Sequence, residues 1–318
     1  MTEESILNHS KYAGIIQRMI ESSTGSPMVT EKNVYQEGNP TNKPLLSQIV
    51  QDLMLPGSRI SGREHLEQLR SLAERRKACL ILMEHYSNFD IPCFYNLLER
   101  GDEEMRRVAQ SIVSVAGVKL NETSKLVLAF TEVFTRVVLY PARSFGNITD
   151  PRELREAEKR RAKINIAAMK TLNSLRKQGR LILVFPSGTR YRPWDPTTSR
   201  GLREIDTYLK FYSYMVTIAV NGNTLLPNPN GCMDEDFVAK DVMIYTVSPV
   251  RKCSEFRRQA LRNRSHEEDA KQYVADRVMA TLGKLHERTE SARRRMLSEL
   301  KQGLSARGPS QLPDTAAG

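Results

Sequence analysis

The stretch ACLILMEHYSNFDIPCFYNLLER, residues 78–100, decides the fold. Its first six residues are an unbroken apolar run of strand length, its last ten read as a helix, and the polar turn between them carries His85 and Asp90. Comparable apolar runs follow in RVVLY at 136–140, LILVFP at 181–186, MVTIAV at 215–220 and VMIYTVS at 242–248, and HLEQLRSLAERRK at 65–77 reads as a helix ahead of the first strand. Strands separated by helical connections predict an α/β fold, a mostly parallel or mixed central sheet flanked by helices. In such sheets ligands bind beyond the carboxyl ends of the strands. His85 and the segment FPSGTR at 185–190 both stand just after a strand.

Outward from this centre, residues 1–56 read as an N-terminal helical segment. Its helices are expected over 5–23 and 45–55, with a Gly, Pro, Asn and Ser-rich loop between them. Such a layer either covers the core or shapes a ligand pocket. Residues 57–303 read as the α/β domain with its C-terminal helices, and 304–318, rich in small and turn residues, as a disordered tail. A long helix is marked by Asp150 as N-cap, Pro151 in the first turn, Glu153 completing a capping box and Gly179 as the stop. Its inward stripe is Leu154, Ile164, Ala168, Leu172 and Leu175, and its other face is basic. The last helical region is expected over about 254–302, with an internal capping box at Ser265 and Glu268 and an apolar stripe through Val274, Val278, Leu282 and Leu285.

Composition narrows the function. The chain has 318 residues and 48 Lys and Arg against 37 Asp and Glu, a formal charge of +11 that favours polyanionic partners. The basic segments lack interleaved aromatics and carry no nucleic-acid-binding motif, so no nucleic acid is expected. The start MTEESILNHSKY is acidic and polar, unlike a signal peptide. The most apolar stretch, LVLAFTEVFTRVVLY at 126–140, is interrupted by Glu132 and Arg136, so no transmembrane segment is expected. The four cysteines show no metal-type spacing, which suits a reducing compartment without disulfides.

Two motifs carry chemistry. A histidine held by a carboxylate is a general base for an alcohol, one ring nitrogen taking the proton while the carboxylate orients the other. His85 and Asp90 are that candidate pair, with Asp90 as a plain helix N-cap the competing reading. In FPSGTRYRPW at 185–194, Ser187, Gly188 and Thr189 allow backbone amides to approach an anion, and Arg190 and Arg192 offer charge-assisted hydrogen bonds to a phosphate. Arg143, in YPARSFGN at 140–147, is a third candidate for the same anion.

The order H-x4-D after a strand, a basic residue after a later strand and then FPSGTR resembles the glycerolipid acyltransferase superfamily. Where most members have Glu in the last motif this chain has Ser187, and the continuation RYRPWDPTT resembles the soluble plastid-type glycerol-3-phosphate 1-O-acyltransferases. The resemblance covers roughly residues 57–250. It implies transfer of a fatty acyl group from acyl carrier protein or coenzyme A thioester to the sn-1 hydroxyl of glycerol 3-phosphate, the first step of phospholipid synthesis. His85 would be the base and Asp90 its orienting partner, with the arginines on the phosphate and no metal or cofactor. Lysophosphatidate acylation uses the same motifs and is the alternative; a basic membrane-surface or nucleic-acid-binding protein is the reading from another class. Two departures stand out, Ser144 where a second basic or imidazole group often neighbours Arg143, and Glu84 where Asn usually precedes the histidine. The resemblance and the composition together point to the cytoplasm or an organelle stroma, with peripheral contact to an anionic membrane.

Overall fold

The structure, a computed structural model, describes residues 5–6, 8–141, 150–265 and 267–306. The chain runs through α1 (Ala13–Glu21), β1 (Tyr35–Gln36), α2 (Asn42–Leu53), β2 (Arg59–Ser61), α3 (Arg63–Glu74), β3 (Cys79–Met83), α4 (Asp90–Glu99), α5 (Glu103–Ser111), β4 (Ile112–Gly117), α6 (Lys119–Glu122), α7 (Lys125–Thr131) and β5 (Arg136–Leu139). It continues with α8 (Pro151–Lys177), β6 (Leu181–Val184), α9 (Ile205–Phe211), β7 (Tyr214–Asn221), β8 (Leu225–Leu226), β9 (Phe237–Val238), β10 (Ile244–Val247), β11 (Arg251–Lys252), α10 (Cys253–Arg262) and α11 (Ala270–Ala306).

Nine strands form one mixed sheet in the order β1-β5-β4-β6-β3-β7-β10-β2, with β11 also on β7. Its centre, β5-β4-β6-β3-β7, is parallel throughout. Antiparallel β1 closes one edge, while β10 runs antiparallel to β7 and carries the short β2 on its far side. The reason for the parallel centre is visible in β3, where all five residues are buried. Cys79, Ile81 and Met83 enter one apolar cluster, Leu80 and Leu82 the other, because successive side chains of a strand point to opposite faces. The first cluster packs the sheet against α1 to α5 and α7, through residues such as Ile16, Ile49, Leu66, Phe94, Val108 and Ala129. The second packs it against α8 to α11, through Ile164, Leu209, Phe256 and Val278 among others. The result is three layers, helix on sheet on helix.

Local expectations hold in most places. Asp150 caps α8, its Oδ1 accepting from the Arg152 and Glu153 amides at 2.6 and 3.1 Å. Gly179, at φ +82°, lets the chain turn back so that the Arg180 amide reaches the Leu175 carbonyl. Of the expected stripe, Ile164, Ala168, Leu172 and Leu175 are buried, and Leu154, in the first turn, is half-buried. The first helix is shorter than its expected 5–23, because Ser5 bridges Phe237 and the Ile6 amide bonds the Asp236 carbonyl, drawing that end into extended contact. The expected region 254–302 divides into α10 and α11 around residues 263–269, where the Ser265 amide donates to Glu268, and α11 continues to Ala306. Residues 307–318, the bulk of the expected tail, lie outside the described residues.

The two charges that interrupt the apolar run 126–140 are buried fasteners. Glu132 accepts from the Gly25 amide at 2.6 Å and from the Asn39 and Asn42 side chains at 2.8 and 3.1 Å, tying the N-terminal layer to α7. Arg136 donates to Gln36 and Asn121, and burial pushes it down to about 10. The N-terminal layer thus covers the core, and Ile6 also lines a cleft beside the site.

Candidate active site

Strands β3 and β6 are parallel neighbours, Leu82 standing opposite Val184. The loops that follow them therefore leave the same edge of the sheet side by side. The consequence is direct contact between the two motifs: the His85 ring stacks on Phe185, centroids 3.8 Å apart and planes within 10°, and the Tyr191 amide donates to the His85 carbonyl at 2.8 Å.

Asp90 is the first residue of α4 and fully buried. It does not cap the helix through its side chain. The carboxylate turns back onto the loop, where Oδ2 meets His85 Nδ1 at 2.9 Å and accepts from the amides of Tyr86 and Ser87 at 2.6 and 3.0 Å. Ser87 Oγ donates to Oδ1 at 3.3 Å, and Tyr245 fixes the Asp90 carbonyl at 2.7 Å. Oδ2 already accepts from two amides, so its partner on the ring is an Nδ1–H, and Nε2 is the nitrogen turned away from the carboxylate. His85 retains 15% side-chain exposure. The arrangement is that of a histidine oriented by a buried carboxylate.

The second motif is built differently from the sequence expectation. Gly188, at φ +60°, gives its amide to the Phe185 carbonyl, so that amide closes the turn and does not face an anion. Ser187 is buried and its hydroxyl donates to the Thr189 carbonyl at 2.7 Å, holding the same turn. Arg190 is buried and donates from Nη1 to Asp236, an acidic partner that sequence reasoning missed. Arg192 is half-buried; its amide bonds Thr198 Oγ1 at 2.9 Å, and its charge also acts on Asp236. Arg190 is thus the arginine bonded to Asp236, while Arg192 acts on that carboxylate only through its charge. Arg143 and its neighbour Ser144 lie outside the described residues.

A further group beneath the histidine loop was also not foreseen. Glu84 Oε2 accepts from the Val220 amide at 2.9 Å and meets His286 Nδ1 of α11 at 2.9 Å, and the Tyr86 hydroxyl lies 3.3 Å from the same nitrogen. Burial pushes the Glu84 carboxyl up. Burial would lower His286, but its hydrogen bond and attraction to Glu84, with help from Glu290, raise it above the ordinary histidine range. The sole sequence signal was the acid standing immediately before His85.

An apolar cleft opens next to the histidine loop, lined by Ile6, Asn88, Leu126, Val127, Phe130 and Leu225, with Met233 and Asp234 at its rim. A polar cavity of about 510 Å³ lies at the opposite end of the sheet, by Tyr214, Arg251 and Lys252, away from both motifs; its Arg251 and Lys252 are engaged by Gln259 and Glu255. Cys93, on α4, has its thiol pushed up to about 12 by burial, so it stays protonated and is no nucleophile. Among the described residues, Cys232, Asp234 and Glu235 are the one group close enough to share an ion, and there Glu235 already accepts from the Cys232 amide.

No described helix is long and apolar enough to cross a membrane. Comparison with curated proteins finds no match. The sequence model of the acyltransferase family, by contrast, matches residues 58–250, which hold His85, Asp90 and the FPSGTR turn, and so more than half of the chain. The H-x4-D loop, stacked on the second motif across two parallel strands, lies wholly within that match, and the chain belongs to the acyltransferase family.

Proposed function

We propose that this chain transfers a fatty acyl group from the thioester of acyl carrier protein or coenzyme A to the sn-1 hydroxyl of glycerol 3-phosphate. The observation that carries the reading is the His85 and Asp90 pair, joined to the arginine-bearing turn by the Phe185 stack. Nε2 of His85 takes the proton from the hydroxyl as its oxygen attacks the thioester carbon, and Asp90 stabilises the imidazolium that forms. Collapse of the tetrahedral adduct expels the thiolate, which receives the proton from His85. The reaction then needs neither a covalent enzyme intermediate nor a metal.

Arg192 meets the phosphate, and Arg190, held by Asp236, is kept as a second ligand of the same group. Arg143 is kept as a third phosphate ligand. Ser187, Gly188 and Thr189 act by shaping the turn that presents the arginines. Work in the cytoplasm or an organelle stroma, on a substrate destined for the membrane, suits this reading.

The test is an acyl-transfer assay crossing both thioester donors with glycerol 3-phosphate and lysophosphatidate as acceptors. H85A should lower kcat by about a thousandfold with its melting curve unchanged. Substantial residual transfer in folded H85A would overturn the mechanism, and preference for lysophosphatidate would move the reaction to the second acylation.

A further inference from the structure

Helix α8 has an outer face that the acyl-transfer reading does not use. Its inner stripe is buried on the sheet, and the opposite side presents Lys159, Lys163, Ile166, Met169, Lys170 and Lys177 to solvent. From residue 159 to 177 the helix holds no Asp or Glu. Among the described residues none of these four lysines lies within ion-pair distance of a carboxylate. Ile166 and Met169 are 59% and 41% exposed.

Phe211, the last residue of α9 and 53% exposed, has its carbonyl bonded by Arg176, and Arg176 stands two turns along α8 from Met169 on the same side. Two of the six large hydrophobics exposed among the described residues, Ile166 and Met169, stand one turn apart on this face of the helix, edged by unpaired cations. Single exposed hydrophobics are ordinary, but a gathered set with charge of one sign marks a contact surface.

We infer that this face of α8 docks the protein on an anionic membrane surface. The composition separates lipid from protein as the occupant. Protein interfaces concentrate aromatic and Arg side chains in a desolvated centre and are poor in Lys. The α8 face is a convex helix whose aliphatic side chains can enter the acyl boundary while lysine stems extend so that their ammonium groups meet lipid phosphates. The inference does not depend on which substrate the active site takes.

The experiment is sedimentation of the full chain with vesicles of phosphatidylcholine alone or mixed equimolar with phosphatidylglycerol, at low and high salt. The protein should pellet with the anionic vesicles, and release by salt is expected. I166S/M169S should weaken binding at least about tenfold. Replacing Lys159, Lys163 and Lys170 by Gln should weaken it roughly fivefold per lysine. Both variants change exposed positions remote from His85, so their melting curves and their transfer between water-soluble substrates should match the parent. Absence of binding to anionic vesicles, or binding by I166S/M169S equal to the parent's, would overturn the inference. So would displacement by soluble poly-glutamate at equal efficiency from parent and I166S/M169S, which would mean an acidic protein partner.

Discussion

Asp90 accepts from two amides, a hydroxyl and an imidazole, and every donor comes from residues 85–87. An amide at this position would turn an NH₂ towards some of those donors, so D90N should lose both the ring orientation and part of the loop's order. A fall in kcat of at least about a hundredfold is expected, larger than any change in KM, as read by steady-state kinetics. Arg190 and Arg192 should separate in the same assay. R190M leaves Asp236 buried without its charge partner and should cost about 3–5 kcal/mol in urea unfolding. R192M, at a half-exposed site, should leave stability within about 0.5 kcal/mol and raise KM for the phosphorylated acceptor about tenfold. Equal destabilisation by the two would contradict their different burial. The histidine pair was legible in sequence because its members are five residues apart on one strand-to-helix turn. Asp236 was not, since it lies 46 residues from Arg190 in a stretch of Asn, Pro and acidic residues with no periodic pattern.

At the scale of elements, α11 reaches back to the loop of the base although it lies outside the matched residues 58–250. His286 joins Glu84 and Tyr86, Asn221 at the end of β7 donates to Glu290 at 2.9 Å, and Arg293 bridges Glu290 and Asp241. The Tyr86 amide is itself a donor to Asp90, so α11 helps to hold the loop that positions His85. H286A should therefore lower stability by about 2 kcal/mol and lower kcat more than it changes KM. A variant that is destabilised but fully active below its melting temperature would make the contact purely structural. No sequence pattern announces a partner 202 residues away. The strands that were legible, β3, β5, β6, β7 and β10, are buried runs of Val, Leu and Ile. Strand β4 was missed because Ser114, Ala116 and Gly117 dilute its apolar signal and it follows the charged α5 without a break. The two- and three-residue strands are too short to carry any period at all.

Across the whole molecule, stability should depend on pH from both sides. Burial opposes ionisation of Asp52 and Glu290. Hydrogen bonds from Lys11 and Tyr12 to the first, and from Arg293, Asn221 and Arg294 to the second, outweigh it and hold both near about 2. Groups lowered in the folded state stabilise above their unfolded values, and that contribution is lost as pH falls through the range from the usual carboxylate values to about 2. His286, raised in the folded state, contributes fully below its unfolded value and loses that contribution as pH rises through its folded one. Glu84, also raised, acts in the same direction, since the unfolded state ionises first. The melting temperature should therefore peak between the carboxylate and histidine ranges. H286N should flatten the decline on the alkaline side, which a thermal scan across pH would show.

The two borders of the sheet are formed by β1 and β2, two and three residues long, and both come from the chain before residue 62. Beneath them are β5, reading RVVL, and β10, reading IYTV, each apolar enough to recruit another chain if its backbone were bare. The chain before residue 62 thus works as a pair of end-stops against polymerisation. A form of the protein lacking it would be expected to assemble edge to edge, by the same hydrogen bonds that now finish the sheet.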